Sequence, residues 1–126
     1  MTVYQRSAPL LVPMIEANNK AGLEIILERY LNFFKNKVDA IILGCTHYSI
    51  IKKEIIKIVG NKIDVICETD IISGKLQKYL NSHPEIKSTL IKKKKIDFKV
   101  TELNKTFESQ VKNWFGPSAS LKLIRK

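Results

Sequence analysis

Cysteine and histidine are scarce in this chain, two of each among 126 residues. The start, "MTVYQRSAPLLVPM", holds one arginine and a short apolar patch broken by two prolines, so it does not read as a signal peptide. Two cysteines without such a signal predict a reducing, cytoplasmic setting, with neither thiol in a disulfide. Long apolar runs are also missing. None approaches the roughly 20 residues that a membrane-spanning helix needs, so no membrane partner is expected. Arginine is the third scarcity. The net charge is +10 and the pI about 9.7, which invites a nucleic-acid reading. Yet 19 of the 22 basic residues are lysine and only 3 are arginine, the residue best suited to bidentate phosphate and base contacts. The excess of Lys, Ile and Asn reads as a bias spread over the whole chain. No specific nucleic-acid partner is expected, only a loose attraction to anionic partners. The run Lys92–Lys95 reads as a solvated loop. No internal repeat appears, and no other low-complexity segment.

What is present is ordinary globular material. Hydrophobic residues make up 44% and charged residues 27%, which suits a modest folded domain. Thr2–Pro9 alternates and carries Val3 and Tyr4, as a strand would, and leads into a loop over Pro9–Pro13. A helix is expected from Glu16, because Leu23, Ile26, Leu27, Tyr30, Leu31 and Phe34 recur at three- and four-residue spacing. "VDAIIL" (Val38–Leu43) is a short β-branched run that suits a strand covered on both faces. A loop over Gly44–His47 and a helix over Tyr48–Val59 follow, with Ile51, Ile55, Ile58 and Val59 inward and Gly60 as the stop. Ile63–Cys67 reads as a second buried strand. Thr69 or Asp70 is expected to cap the next helix, which carries Ile72, Leu76, Tyr79 and Leu80. Asn81–Lys95 reads as a polar loop, Ile96–Thr101 as a third strand and Phe107–Phe115 as a last amphipathic helix ended by Gly116 and Pro117. This alternation predicts an α/β fold, a mostly parallel sheet flanked by helices with right-handed crossovers.

The chemistry gathers in "LGCTHYS". In open α/β sheets ligands bind beyond the carboxyl ends of the strands. Cys45 lies two residues past such an end and just before a predicted helix start, where a thiolate is favoured. His47 is placed to share a proton with a substrate or with the thiol. Gly44 lets a ligand approach the backbone, and Thr46 offers a hydroxyl and an amide. This is the pattern of a thiol nucleophile or a thiol acid–base site. A cysteine at a strand end is equally at home as a small buried hydrophobe. Cys45 and Cys67 both end strands, which would let them converge with His47 on a metal, but their spacing fits no common zinc pattern and no fourth ligand stands out, so no metal is expected. Cys67 reads as structural. Glu16 follows a proline-braced apolar loop and is either a solvated first-turn carboxylate or a member of the site.

Two motifs together carry a resemblance. "LGCTHYS", with "SAPLLVPMIE" about 30 residues upstream, resembles the second half of a glutamate racemase, in the family of cofactor-independent aspartate and glutamate racemases. The Cys-Thr-His combination is similar to the glutamate branch rather than the aspartate branch, where Glu usually replaces His. "FESQVKNWFG" resembles the family's terminal helix. The resemblance implies that two cysteines flank the substrate. One, as thiolate, removes the Cα proton, and the other returns a proton to the opposite face, with no cofactor. It implies Cys45 as the second of these cysteines, His47 as its acid–base aid, Glu16 as the carboxylate beside that histidine, and Thr46 as a substrate contact. L- and D-glutamate would be interconverted for peptidoglycan synthesis in a bacterial cytoplasm.

The family's first half, with an Asp-Ser, the first cysteine and an Asn-Thr pair, has no counterpart in this sequence. The resemblance therefore implies a truncated product, a fragment or half of a split assembly, with little activity alone. Ser49 stands where the motif usually has Pro, and Ser7-Ala8-Pro9 where many members have Ala-Cys-Pro. Residues 1–91 are expected to be the catalytic α/β lobe. Residues 92–126 are expected to be a returning strand and helix that would pack on the missing first lobe. With no first lobe to cover, Phe98, Val100, Phe107, Val111, Trp114 and Phe115 are expected to drive self-association, or to meet a separate first-lobe chain. The rival readings are a non-catalytic remnant that binds a ligand or a protein, and an unrelated thiol enzyme using Cys45 and His47.

Overall fold

The computed structural model describes residues 1–90 and 96–124. The lysine run Lys92–Lys95, read above as a solvated loop, lies outside the described residues. The chain divides into two compact units, Met1–Lys87 and Ser88–Lys126.

The first unit opens without regular structure. Residues 1–8 form no strand, contrary to the alternation of Thr2–Pro9. A strand needs a neighbour to take its hydrogen bonds. This segment instead leans on rings: Tyr4 meets Phe33 edge-on, and the Arg6 guanidinium lies 5.9 Å from the Tyr30 ring and 5.1 Å from the Phe33 ring. Helix α1 spans Leu11–Glu16 where a loop was expected. Pro13 stands in its first turn, where the backbone N–H has no intrahelical partner and a proline forfeits nothing. Glu16 therefore ends a helix rather than starting one. Asn18, with φ of 50°, turns the chain. Asn19 then caps helix α2 (Lys20–Leu31) by accepting the Gly22 N–H at 3.0 Å. Leu23, Leu27 and Leu31 form its buried face.

Strand β1 (Ala40–Leu43) pairs in parallel with β2 (Asp64–Cys67), Leu43 opposite Cys67. Between them run a 3-10 turn over Thr46–Ser49 and helix α3 (Lys52–Val59). The expected single helix from Tyr48 is thus two elements, and the α-helix starts at Lys52. Ile51 and Ile55 are buried, and Gly60, with φ of 76°, stops the helix. Ile41 and Leu43 are buried, but Ile42 between them is 77% exposed. The expectation of a strand covered on both faces is therefore corrected: one face of β1 is buried and the other is not. Helix α4 (Glu68–Ser82) starts directly after β2, with Cys67 at its N-cap position. Thr69 and Asp70 do not cap it; they lie inside its first turn, against the Cys67 sulfur. No residue of α4 is buried, and Ile72, Leu76 and Tyr79 all face solvent. Part of the expected loop after Asn81 is helical, as α5 (Pro84–Thr89).

The second unit is a β-α-β element. Strand β3 (Ile96–Val100), helix α6 (Lys105–Phe115) and strand β4 (Ala119–Leu123) follow in order, and β3 and β4 pair in parallel. Asn104 caps α6 by accepting the Phe107 N–H at 2.8 Å, and Gly116 ends it. The tail, unassigned from sequence, supplies β4. Val111 and Ala119 are buried, and the Phe98 and Phe115 rings lie 4.8 Å apart. The fold is α/β with parallel strands flanked by helices, the described residues forming two two-stranded sheets. Among the described residues no helix is long and apolar enough to cross a membrane.

Candidate active site

The parallel pairing aligns the carboxyl ends of β1 and β2, and a reactive group follows each end. Beyond β1, Gly44 is exposed and Cys45 is extended (φ −146°, ψ 134°), half-buried at the N-cap position of the 3-10 turn. The Tyr48 N–H closes that turn on the Cys45 carbonyl at 3.0 Å. This tight turn folds His47 back over the thiol. Cys45 Sγ lies 4.0 Å from His47 Nδ1, a long sulfur contact. On the far side of the ring, His47 Nε2 lies 3.2 Å from Glu16 Oε1. Thiol, imidazole and carboxylate thus form one line reaching from β1 to the end of α1.

The line has a direction. A carboxylate can only accept, so Nε2 carries the proton toward Glu16, and in a neutral ring Nδ1 then has a lone pair facing the thiol. A neutral His47 oriented this way can take the Cys45 proton and give it back. The thiol is not helped by an α-helix N-terminus as expected, because the α-helix begins only at Lys52 and a single 3-10 turn intervenes. Thr46 is exposed beside the thiol, and its carbonyl accepts from the Ser49 hydroxyl at 2.6 Å.

The structure brings together Glu16, Cys45 and His47, with Thr46 alongside. It also shows a participant that sequence reasoning passed over. The Tyr48 hydroxyl donates to the Ala8 carbonyl at 3.2 Å, tying the segment before α1 to the cysteine turn. Burial, with Cys45 and Tyr30 adding to it, pushes the Tyr48 phenol above its usual range and keeps it a donor.

Past β2 lies a second cluster. The Cys67 thiol is buried, donates to Asp70 Oδ2 at 3.1 Å and lies 3.0 Å from the Thr69 hydroxyl. Asp70 in turn binds the Lys52 ammonium at the start of α3. That bond holds the Asp70 carboxyl below its usual range, with the Cys67 hydrogen bond adding to it, and raises Lys52. The cluster joins the first turns of α3 and α4. No sequence signal links Lys52 with Asp70, since they are far apart in the chain. Among the described residues no group of three or more His, Cys, Asp or Glu is disposed to hold a metal.

No family model matches the chain. Comparison with individual proteins does find relatives. It is 40% identical over 81 residues to a glutamate racemase of Aquifex pyrophilus, covering 62% of this chain and 31% of that one. A crystal structure of glutamate racemase from Francisella tularensis, in complex with D-glutamate, matches with a TM-score of 0.70 at 30% identity, over 92% of this chain and 44% of that one. The chain is similar to part of the glutamate racemases. A glutamate racemase isoform from Bacillus anthracis shares the fold, with a TM-score of 0.77 at 24% identity over 99% of this chain and 47% of that one. The chain thus spans about half, or less, of the length of these racemases.

Proposed function

We propose that the chain provides one of the two proton-transfer sides of a glutamate racemase, corresponding to the second half of that enzyme. The observation that carries this reading is the line from Cys45 through His47 to Glu16 at the carboxyl end of a parallel strand. As thiolate, Cys45 takes the proton from the substrate Cα, and the C–H electron pair stays on carbon. As thiol, it returns a proton to that same face, with His47 holding the proton between turnovers and Glu16 fixing the ring. The Thr46 amide and hydroxyl contact the substrate. The bound D-glutamate in the Francisella tularensis racemase supports glutamate as the substrate here. Inversion needs a second donor on the opposite face, so the chain by itself is a poor racemase. The opposing side comes from a first-lobe chain or a second copy of this one, and residues 92–126 are the returning segment that packs on it. The D-glutamate formed serves peptidoglycan synthesis in a bacterial cytoplasm. No cofactor is required, because a cysteine thiolate stabilised by its neighbours is itself the base.

The test is proton NMR of L-glutamate in deuterated water with the chain alone. Neither inversion nor loss of the Cα proton signal is expected. When a first-lobe polypeptide is added, inversion appears, and Cys45→Ser abolishes it. Inversion that survives Cys45→Ser would sink the proposal. A thiol hydrolase built on the same Cys-His-Glu line is the second reading. Iodoacetamide labelling of Cys45 together with turnover of a simple thioester would favour it.

A further inference from the structure

The contact between Glu16 and His47 sits where water weakens it. Their side chains are 49% and 32% exposed. A pair this open keeps its geometry only if the two backbones are held, because water offers both groups other partners. Helix α1 cannot hold Glu16 by itself. It has six residues, well below the roughly 12–15 at which an isolated helix is marginal, and no side chain caps its start. Leu11 and Ile15 bury one of its faces, but apolar burial is not directional. A directional contact lies at the end of α1 away from Glu16. There the Ala8 carbonyl accepts the Leu11 N–H at 3.2 Å and also the Tyr48 hydroxyl at 3.2 Å. Tyr48 and His47 are consecutive residues of the 3-10 turn. One turn thus grips α1 at both ends, by Tyr48 through Ala8 and by His47 at Glu16.

We propose that Tyr48 is a positioning residue for the thiol site: its hydroxyl sets α1 so that Glu16 meets His47, and through that ring it sets the reactivity of Cys45. The inference rests on the Cys45–His47–Glu16 line read above and adds the residue that aligns it. The step it governs is a proton transfer. The Cys45 proton moves to His47 Nδ1, the S–H electron pair stays on sulfur, and the ring becomes a cation. Glu16 across the ring stabilises that cation, and with it the thiolate. Burial, with Cys45 and Tyr30 nearby, keeps the Tyr48 phenol protonated, so the tether persists across neutral pH. Helix α1, strand β1 and helix α4 pack against the turn. Helix α1 brings Glu16, β1 has no ionisable side chain, and the first turn of α4 carries Glu68 and Asp70, the latter bound to Lys52.

The experiment uses the chain alone and needs no glutamate. Alkylation of Cys45 by iodoacetamide is timed at neutral pH by peptide mass spectrometry. The thiolate attacks carbon, an S–C bond forms and iodide leaves. Nitrogen-15 NMR reads which ring nitrogen of His47 carries the proton. The variants are Tyr48→Phe, Glu16→Ala and the two combined. Tyr48→Phe keeps the ring, so the circular dichroism should not change. It should slow alkylation about fivefold, the factor that corresponds to the net worth of one hydrogen bond. It should also turn the His47 ring from the Nε2–H form into a mixture of both tautomers. Glu16→Ala should slow alkylation at least as much. The decisive arm is the double variant: if Tyr48 acts through Glu16, adding Tyr48→Phe to Glu16→Ala slows the reaction no further. Three outcomes overturn the proposal: an unchanged rate in Tyr48→Phe, a slower rate with the tautomer unchanged, or effects of the two substitutions that multiply. None of these bears on proton exchange at glutamate, and a failure of that exchange leaves the alkylation result standing, so the two readings fall separately.

Discussion

At the residue scale the site depends on contacts between distant parts of the chain, and these are the contacts to break. Tyr48→Phe removes the hydroxyl that holds the Ala8 carbonyl. It should cost about 1 kcal/mol in urea unfolding, the net worth of one such bond. The loss should be local: amide exchange in α1, which carries Glu16, should quicken more than exchange in α3. Equal changes in the two helices would mean that Tyr48 is no tether. The Lys52–Asp70 pair gives a prediction with a sign. The folded-state pKa of Asp70 is depressed, so its contribution is present above the unfolded carboxyl range, roughly pH 4, and is lost as pH falls through the folded value. The folded-state pKa of Lys52 is raised, so its contribution is present below roughly pH 10.4 and lost only at higher pH. Asp70→Asn should therefore lower the urea midpoint slightly at pH 7, and the difference should shrink as the pH falls below the carboxyl range. The gap at pH 7 should shrink in 1 M salt, because the pair is solvent-accessible. The thiol and histidine of the site could be read from the sequence because they are two residues apart at the end of an apolar run. Glu16 stood out only as a carboxylate after a proline-braced loop, and its place beside His47 came through a motif resemblance, since nothing local in a sequence says that a carboxylate meets an imidazole 31 residues away. Tyr48 and the Cys67–Asp70–Lys52 cluster were missed for the same reason.

At the element scale, hydrophobic period and glycine stops were reliable, and pairing was not. Strands β1, β2 and β3, helices α2 and α6 and the Gly60 and Gly116 stops fall within a few residues of their expected places. Periodicity reports a side chain's preference for burial, and these elements find that burial within their own unit. The expected strand at Thr2–Pro9 failed because alternation cannot supply a neighbour. Helix α1 hid behind two prolines, which read as a loop until one is seen to occupy a first turn. In α4 the period was right and the environment wrong, since its apolar stripe has nothing described to cover it. Two substitutions separate these causes. Gly60 sits at φ of 76° with nothing near the position of an added Cβ. Gly60→Ala should therefore cost about 1 kcal/mol from backbone strain alone. Leu27 is 1% exposed at the centre of the α2 face. Leu27→Ala should cost roughly 2–5 kcal/mol through lost burial and a cavity. Chemical denaturation measures both, and a Gly60→Ala cost equal to that of Leu27→Ala would refute the assignment to strain.

At the scale of the whole molecule, the narrowness of the two sheets bears on stability. Among the described residues there are two two-stranded sheets, and many large apolar side chains, such as Ile25, Ile42 and Ile72, stay exposed. Anything that binds only the folded chain must then raise its stability by mass action. At a partner concentration a hundred times the dissociation constant, that gain is about 2.7 kcal/mol. For a unit the size of Met1–Lys87 this corresponds to a rise in Tm of roughly 10–20 °C. Calorimetry of the chain with and without a first-lobe racemase polypeptide should show it. Salt discriminates the cause. Contact through apolar surface should keep most of the gain between 50 and 200 mM salt. Attraction to the net charge of +10 should lose it steeply over the same range, as non-specific binding to nucleic acid does. A gain that vanishes with salt would assign the stabilisation to charge rather than to an apolar contact with a first-lobe polypeptide.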